Sequence, residues 1–405
     1  MLSAHISSLA TELRGEDFHL VTYRQIGEWL KETTPADASV VSIEIGVIGH
    51  YSERRIIDPM GLVTPESTDH LRGWVQSLQY AVARFRPDFA VTLPDTAWDA
   101  LLASGWFLDR YQACVMVDTM VVYCRRDDAP VYLVSRHLDL PAGGGAGITG
   151  VDLDRASLRP GEALNVVIRW QTDISLTQDH AVWLALIEEY TGQVWAKASG
   201  EPMHGGAPTT TWLVGEEIAD EHRLDIPPEA PFGRYQVWAG LSASRSDMVL
   251  VTTVKVLNPT ALTCPAGLEL LAVTLGDQIS LVGYRLSGVP RAGSDLTLNL
   301  CWRAEVRPTI DYTVFAHLRG KDGQPVSQAD AQPMGGRYPT SIWDPGETVP
   351  DSLTIHLPPD LLAGTLELWV GLYDWASGGR LPVSLAPGAA RDGDSVLLTV
   401  FEMEP

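Results

Sequence analysis

The sequence lacks a lysine or arginine cluster, a long apolar run, and the short motifs that carry enzyme chemistry. Each absence narrows what the chain can do. With 29 Lys plus Arg against 51 Asp plus Glu, the net charge is −22. Phosphate binding needs a basic face, so nucleic acid is not an expected partner. An anionic membrane surface is disfavoured on the same ground. No apolar run approaches the roughly 18 to 20 residues that span a bilayer, so no direct membrane span is expected. The opening stretch, MLSAHISSLATELRGEDF, has neither the basic start nor the continuous apolar segment of a signal peptide.

Cysteine is scarce as well. The four (Cys114, Cys124, Cys264, Cys301) are too few for a disulfide framework in 405 residues, and none lies in a CxxC pair. Cys114 and Cys124 flank an expected hairpin turn at Asp118-Thr119 and could face each other across two strands. The reading taken is two small strand hydrophobes. The ten histidines are scattered without metal-ligand spacing, and no structural zinc site or other metal is expected. No GxSxG elbow, HExxH helix, phosphate loop or GxGxxG fingerprint occurs, so no catalytic residue and no cofactor are assigned.

What is present is ordinary globular composition, 45% hydrophobic and 20% charged, in a chain longer than one hydrophobic core usually supports. Residues 1–127 alternate helical and strand periodicity. Tyr23, Ile26, Gly27 and Leu30 share a helical face that Pro35 ends. Residues 39–45 read as a buried strand leading to a tight turn at residues 46–49. Leu71, Trp74, Val75, Leu78, Val82 and Phe85 form an apolar helical stripe. A strand over residues 88–93, a short helix over 96–104 and a hairpin over 111–125 follow. This predicts an α/β domain, a sheet covered by helices.

Beyond residue 128 helical periodicity vanishes, and short alternating strands are punctuated by Gly, Pro and Thr. A repeat runs through this part. RPGEALNVVIRW (159–170) aligns without a gap with RAGSDLTLNLCW (291–302). Trp212, Gly215 and Glu216 match Trp343, Gly346 and Glu347, and Gly233, Trp238 and Gly240 match Gly364, Trp369 and Gly371. The period is too long for a solenoid. The expected fold is therefore multidomain, α/β plus all-β: an α/β domain (1–127) and two tandem homologous immunoglobulin-like β-sandwiches (128–258 and 259–405). The glycines at 143, 144, 145 and 147 read as a flexible connection.

Two sets of residues are candidates for ligand contact. Glu44, His50, Tyr51, Arg54, Arg55 and Asp58 follow a buried strand, where ligands collect in α/β sheets, and arginine offers a fork to anions. The competing reading is a solvated loop whose charges pair with one another. The second set is an aromatic platform of Trp212, Trp238, Tyr338, Trp343 and Trp369. Trp238 and Trp369 have the strand parity opposite to the apolar stripe, which places them on an outer face able to stack on sugars or pack a neighbour. Structural anchoring is the alternative, since aromatics more often fill cores.

The segments YRQIGEWLKETTP (from Tyr23), Ala38-Ser39-Val40, IGVIGHYSERRIID (from Ile45) and Gly61-Leu62 resemble the extracytoplasmic tail of GT-C superfamily membrane glycosyltransferases. TVFAHL, GGRYPTSIWDPGE and ELWVGLYDWASGGRLPV, beginning at Thr313, Gly335 and Glu367, resemble sandwich modules appended to some such tails. The resemblance implies an extracytoplasmic location and a non-catalytic accessory module, with a glycan or a membrane glycosyltransferase as partner. Family members catalyse with acidic residues between membrane helices, which this chain lacks, so no catalysis is expected here. The rival functions are a free-standing surface carbohydrate-binding protein, an enzyme with a site around Glu44, His50 and Asp58, and a structural spacer.

Overall fold

A computed structural model describes residues 18–71, 73–93, 96–385 and 391–403. The stretch read above for a signal peptide lies almost wholly outside the described residues. Among the described residues strands account for 43% and helices for 18%, so the described part is predominantly β.

The head contains α1 (Phe18–Thr33), α2 (Ile45–Ser52), α3 (Trp74–Phe85), α4 (Thr96–Ala103) and α5 (Trp106–Arg110). Its strands are β1 (Ser39–Val41), β2 (Arg55–Ile57), β3 (Phe89–Val91), β4 (Tyr111–Val117) and β5 (Met120–Arg125). They form one sheet in the order β2-β1-β3-β5-β4, parallel from β2 to β3 and antiparallel thereafter. Successive strand residues point to opposite faces. Val40 and Val91 therefore pack under α1 and α2 with Ile26, Leu30 and Ile48, whereas Val41 and Ala90 pack under α3 and α4 with Leu78, Val82, Trp98 and Leu101.

Three sequence expectations are corrected, two within the head and one on the cysteines of the head and the last sandwich. Residues 45–49 are helical rather than the end of a strand and a turn, because Gly27 of α1 lets α2 approach closely. A Cβ on Gly27 would sit 2.7 Å from the Tyr51 Cβ. The apolar helix begins at Trp74 and not at Leu71, which is exposed after a short 3-10 turn, Pro65–His70. Cys114 and Cys124 form a disulfide across the β4–β5 hairpin, and Cys264 and Cys301 form a second one. The bulge after Ala113 brings Cys114 beside its partner strand, a detail that spacing alone does not carry.

The next nine strands are β6 (Val134–Pro141), β7 (Ala146–Leu153), β8 (Ser157–Leu158), β9 (Ala163–Thr172), β10 (Val182–Glu188), β11 (Val194–Gly200), β12 (Ile218–Asp225), β13 (Gly233–Gly240) and β14 (Val249–Val256). They form two sheets, β12-β9-β7-β6 and β11-β10-β13-β14-β8. Val166, Ile168 and Trp170 of one meet Leu184, Leu186, Tyr235 and Val237 of the other in a single core. The glycines at 143–145 are the β6–β7 hairpin loop, each with positive φ, and not a connection between domains.

The last ten strands are β15 (Glu269–Leu275), β16 (Ile279–Ser287), β17 (Asp295–Ala304), β18 (Tyr312–Gly320), β19 (Pro325–Ala331), β20 (Thr348–His356), β21 (Thr365–Asp374), β22 (Val383–Leu385), β23 (Arg391–Asp392) and β24 (Ser395–Glu402). Their sheets run β20-β17-β16-β15-β22 and β19-β18-β21-β24-β23. The two strand orders correspond position by position except at the outermost edges. Trp170 and Trp302 both lie near the end of the second strand of their sheet, fully buried.

Candidate functional site

The six polar residues of the head do not converge on one pocket. Glu44 precedes α2, with its backbone N–H donating to the Ser42 hydroxyl. His50 is exposed and meets Tyr51 edge-on, and Arg24 lies over the Tyr51 ring. The Arg54 fork is engaged, with Nη1 donating to the Ser52 carbonyl at 3.2 Å. It donates to the Lys31 and Thr34 carbonyls and to the Thr34 hydroxyl, which satisfies acceptors that the end of α1 leaves open. Arg55 is exposed at the start of the edge strand β2. Asp58 is buried and accepts the backbone N–H groups of Met60, Leu62 and Val63. Arg54 and Asp58 thus hold a helix end and a loop through backbone and hydroxyl groups, with Asp58 buried, rather than pairing with each other in a solvated loop.

Three members of the aromatic platform are inaccessible. Trp212, Tyr338 and Trp343 are 3%, 0% and 0% exposed. Trp238 and Trp369 do occupy outer faces, but guanidinium groups cover them: the Arg245 Cζ lies 3.2 Å above Trp238, and the Arg319 Cζ 4.9 Å above Trp369. The most exposed tryptophan among the described residues is Trp375, at 73%, just past β21. Sequence reasoning passed over it because no partner in the repeat marks it.

The buried tryptophans anchor a loop used twice. Trp212 donates from Nε1 to the Ala207 carbonyl at 2.9 Å, and Trp343 to the Tyr338 carbonyl at 3.0 Å. Ahead of each lies a short turn, Pro202–Gly205 and Pro333–Gly336, in which Met203 and Met334 take positive φ. Their N–H groups donate to Asp220 and Asp351, at 2.7 and 2.8 Å. Burial raises the Asp351 pKa despite those donors. Each turn faces the preceding domain. Gly206 abuts the backbone of α3 at Tyr80, while the Arg337 guanidinium lies over Tyr190. The matching glutamates close the contact: Glu216 meets His70 at 2.8 Å, and Glu347 meets Lys255 at 2.7 Å. The preceding domain reciprocates with an aromatic. Tyr80 enters the core of the first sandwich, and Phe232 packs on that of the second, 5.5 Å from Tyr338. Burial, with Glu216 nearby, pushes the Tyr80 phenol up to about 12.

A cleft of about 200 Å³ opens beside the first of these junctions. The head lines it with Val82, Arg86, Trp106, Arg110, Tyr111 and Arg125, the linking segment with Tyr132, and the sandwich with His204 and Glu221. Trp106 and His204 stack across the boundary, centroids 4.3 Å apart. Arg110 donates to Glu221 at 2.6 and 3.0 Å and to Asn165 at 3.2 Å. Arg86 stands 3.7 Å from Glu221 and over the Tyr132 ring. Burial works to raise the Glu221 pKa, but Arg110 and Arg86 outweigh it and hold the carboxyl below its ordinary value. Burial lowers His204. Burial, with the Glu221 carboxylate nearby, raises Tyr132. The Trp106 Nε1–H is buried without a hydrogen-bond partner, and the buried Tyr132 hydroxyl lies near Glu221 without forming a well-aligned hydrogen bond. No sequence motif pointed here, since the residues come from segments up to 139 positions apart (Val82 to Glu221).

Residues 11–132 match the family described as "Domain of unknown function (DUF8728)". No curated protein matches. Among solved structures, the C-terminal domain of wzt is similar at 11% identity and TM-score 0.22, over 35% of this chain and 81% of that one. A mutant of Salmonella alpha-2-macroglobulin is similar at 14% and 0.21, over 71% of this chain but 17% of its own. A DUF4785 family protein from Legionella pneumophila is similar at 10% and 0.20, over 65% and 59%. TM-scores this low establish neither fold nor function.

Proposed function

We propose that this chain is a non-catalytic, extracytoplasmic accessory module of a membrane glycosyltransferase system, its head followed by two copies of one immunoglobulin-like sandwich. The observation that carries this reading is the repeated junction. Glu216 and Glu347, with the turns held by Trp212 and Trp343, grip the preceding domain in the same way twice. A duplicated domain that spends its shared motif on its neighbour is suited to holding geometry, not to turning over substrate. The sequence resemblance supplies the setting, and two disulfides are compatible with an oxidising compartment.

The test is reconstitution. Membranes from cells deleted for this chain should transfer sugar from a lipid-phosphate donor more slowly than wild-type membranes, and adding back the purified chain should restore the rate. The purified chain alone should transfer none. Equal rates with and without the chain, or transfer by the chain alone, would overturn the reading.

A further inference from the structure

We propose that the cleft between the head and the first sandwich binds a small organic anion, a carboxylate carried on a single ring. The proposal does not depend on the accessory role above. The chain as a whole has far more acids than bases, yet this cleft is lined by Arg86, Arg110 and Arg125 against Glu221 alone among acids. Arg110 already neutralises Glu221 at hydrogen-bond distance. Arg86 reaches that carboxylate only at 3.7 Å, and Arg125 gives one N–H to the Arg86 carbonyl at 3.3 Å. Two guanidinium groups thus remain for a further anion, and their planar forks match a carboxylate.

An orphaned donor points the same way. The Trp106 Nε1–H is buried with no partner and its ring lines the cleft, so a turn of the ring would bring this donor to a ligand's oxygen. The Tyr132 hydroxyl, poorly aligned on Glu221, offers a second polar contact. The stacked Trp106 and His204 rings, with Tyr111 and Tyr132, supply flat apolar walls. At about 200 Å³ the space lies below the roughly 300–1,000 Å³ of drug-sized pockets, which suits one ring and its acidic group.

The full-length chain, labelled with nitrogen-15, is titrated with benzoate and glucuronate, with their neutral counterparts benzamide and glucose, and with inorganic phosphate. The indole resonance that Trp106→Phe removes is the reporter. It should shift saturably at millimolar benzoate or glucuronate, while the neutral compounds and phosphate bind about tenfold more weakly or worse. Arg86→Gln and Arg125→Gln should each weaken the acidic ligand by a similar factor. The ligand comparison on the unmodified chain stands even if a variant misfolds. No shift with either acid, or equal shifts with acid and neutral counterpart, overturns the proposal. Equal affinity for phosphate removes the ring from it.

Discussion

Replacing Gly206 by alanine tests the junction between head and first sandwich most directly. Its backbone is ordinary for any residue, φ −73 and ψ −25, so alanine adds no conformational strain. The cost is steric. An added Cβ would lie 2.5 Å from the Tyr80 nitrogen, 2.7 Å from the Tyr80 Cα and 2.9 Å from the Gln79 carbonyl carbon. These are backbone atoms at the centre of α3, and none can swing aside as a side-chain tip would. Loop and helix must part by roughly 0.9 Å to regain normal contact. That shift draws Tyr80 from the sandwich core and stretches the contact between His70 and Glu216. Overpacking of this kind costs about 1–3 kcal/mol, partly offset by about 0.4–1 kcal/mol from the less flexible unfolded chain. A net loss of about 1–2 kcal/mol is expected, read as a lower urea midpoint by tryptophan fluorescence and faster proteolysis between head and sandwich. Gly46→Ala is the control, because a Cβ added there, in the first turn of α2, would meet nothing within 4 Å. Alanine there should be neutral or stabilising by up to about 1 kcal/mol. If Gly206→Ala behaves like Gly46→Ala, the junction does not form in solution.

At the second junction, Lys255 is 4% exposed at its side chain and bonded to Asp344 and Glu347. Lys255→Ala should cost about 1–3 kcal/mol, less than a fully buried pair because both carboxylates keep some water. A double-mutant cycle with Glu347→Gln that shows no coupling would refute the contact. Acid should loosen both junctions. Burial tends to raise Glu216 and Asp344, but His70 for the first and Lys255 with Arg307 for the second hold them below their ordinary values of 4.5 and 3.8. Their stabilisation is complete above those values and is lost as pH falls through the lowered folded ones. A urea midpoint that stays flat from neutral pH to pH 3 would contradict this. Trp343→Ala should cost about 3–5 kcal/mol as a buried core truncation, seen in thermal melts. An unchanged melting temperature would mean that the indole is not in the core.

Alternation and periodicity determined much of this protein without coordinates. The Leu296-Leu298-Leu300-Trp302 stripe requires a half-buried strand wherever it packs, and the gapless match of residues 159–170 to 291–302 anticipated two sets of strands in corresponding order. Parity likewise placed Trp238 and Trp369 on outer faces. Those are local properties of a two-residue repeat. Which groups meet across domains is not local, and only the tertiary structure decided it. The sequence left the partners of the Arg54 fork open, and the end of α1 supplied them; it left Trp212 and Trp343 between platform and loop anchor, and their Nε1 bonds to the Ala207 and Tyr338 carbonyls decided for the anchor. The Cys114–Cys124 disulfide depended on strand register, and Cys264 reaches Cys301 of β17 from the loop ahead of β15. The cleft joins Arg86 and Trp106 of the head to His204 and Glu221 of the sandwich, groups that share no periodicity. Their meeting follows from the packing of Gly206 on α3, a close approach that a sequence records only as one more glycine.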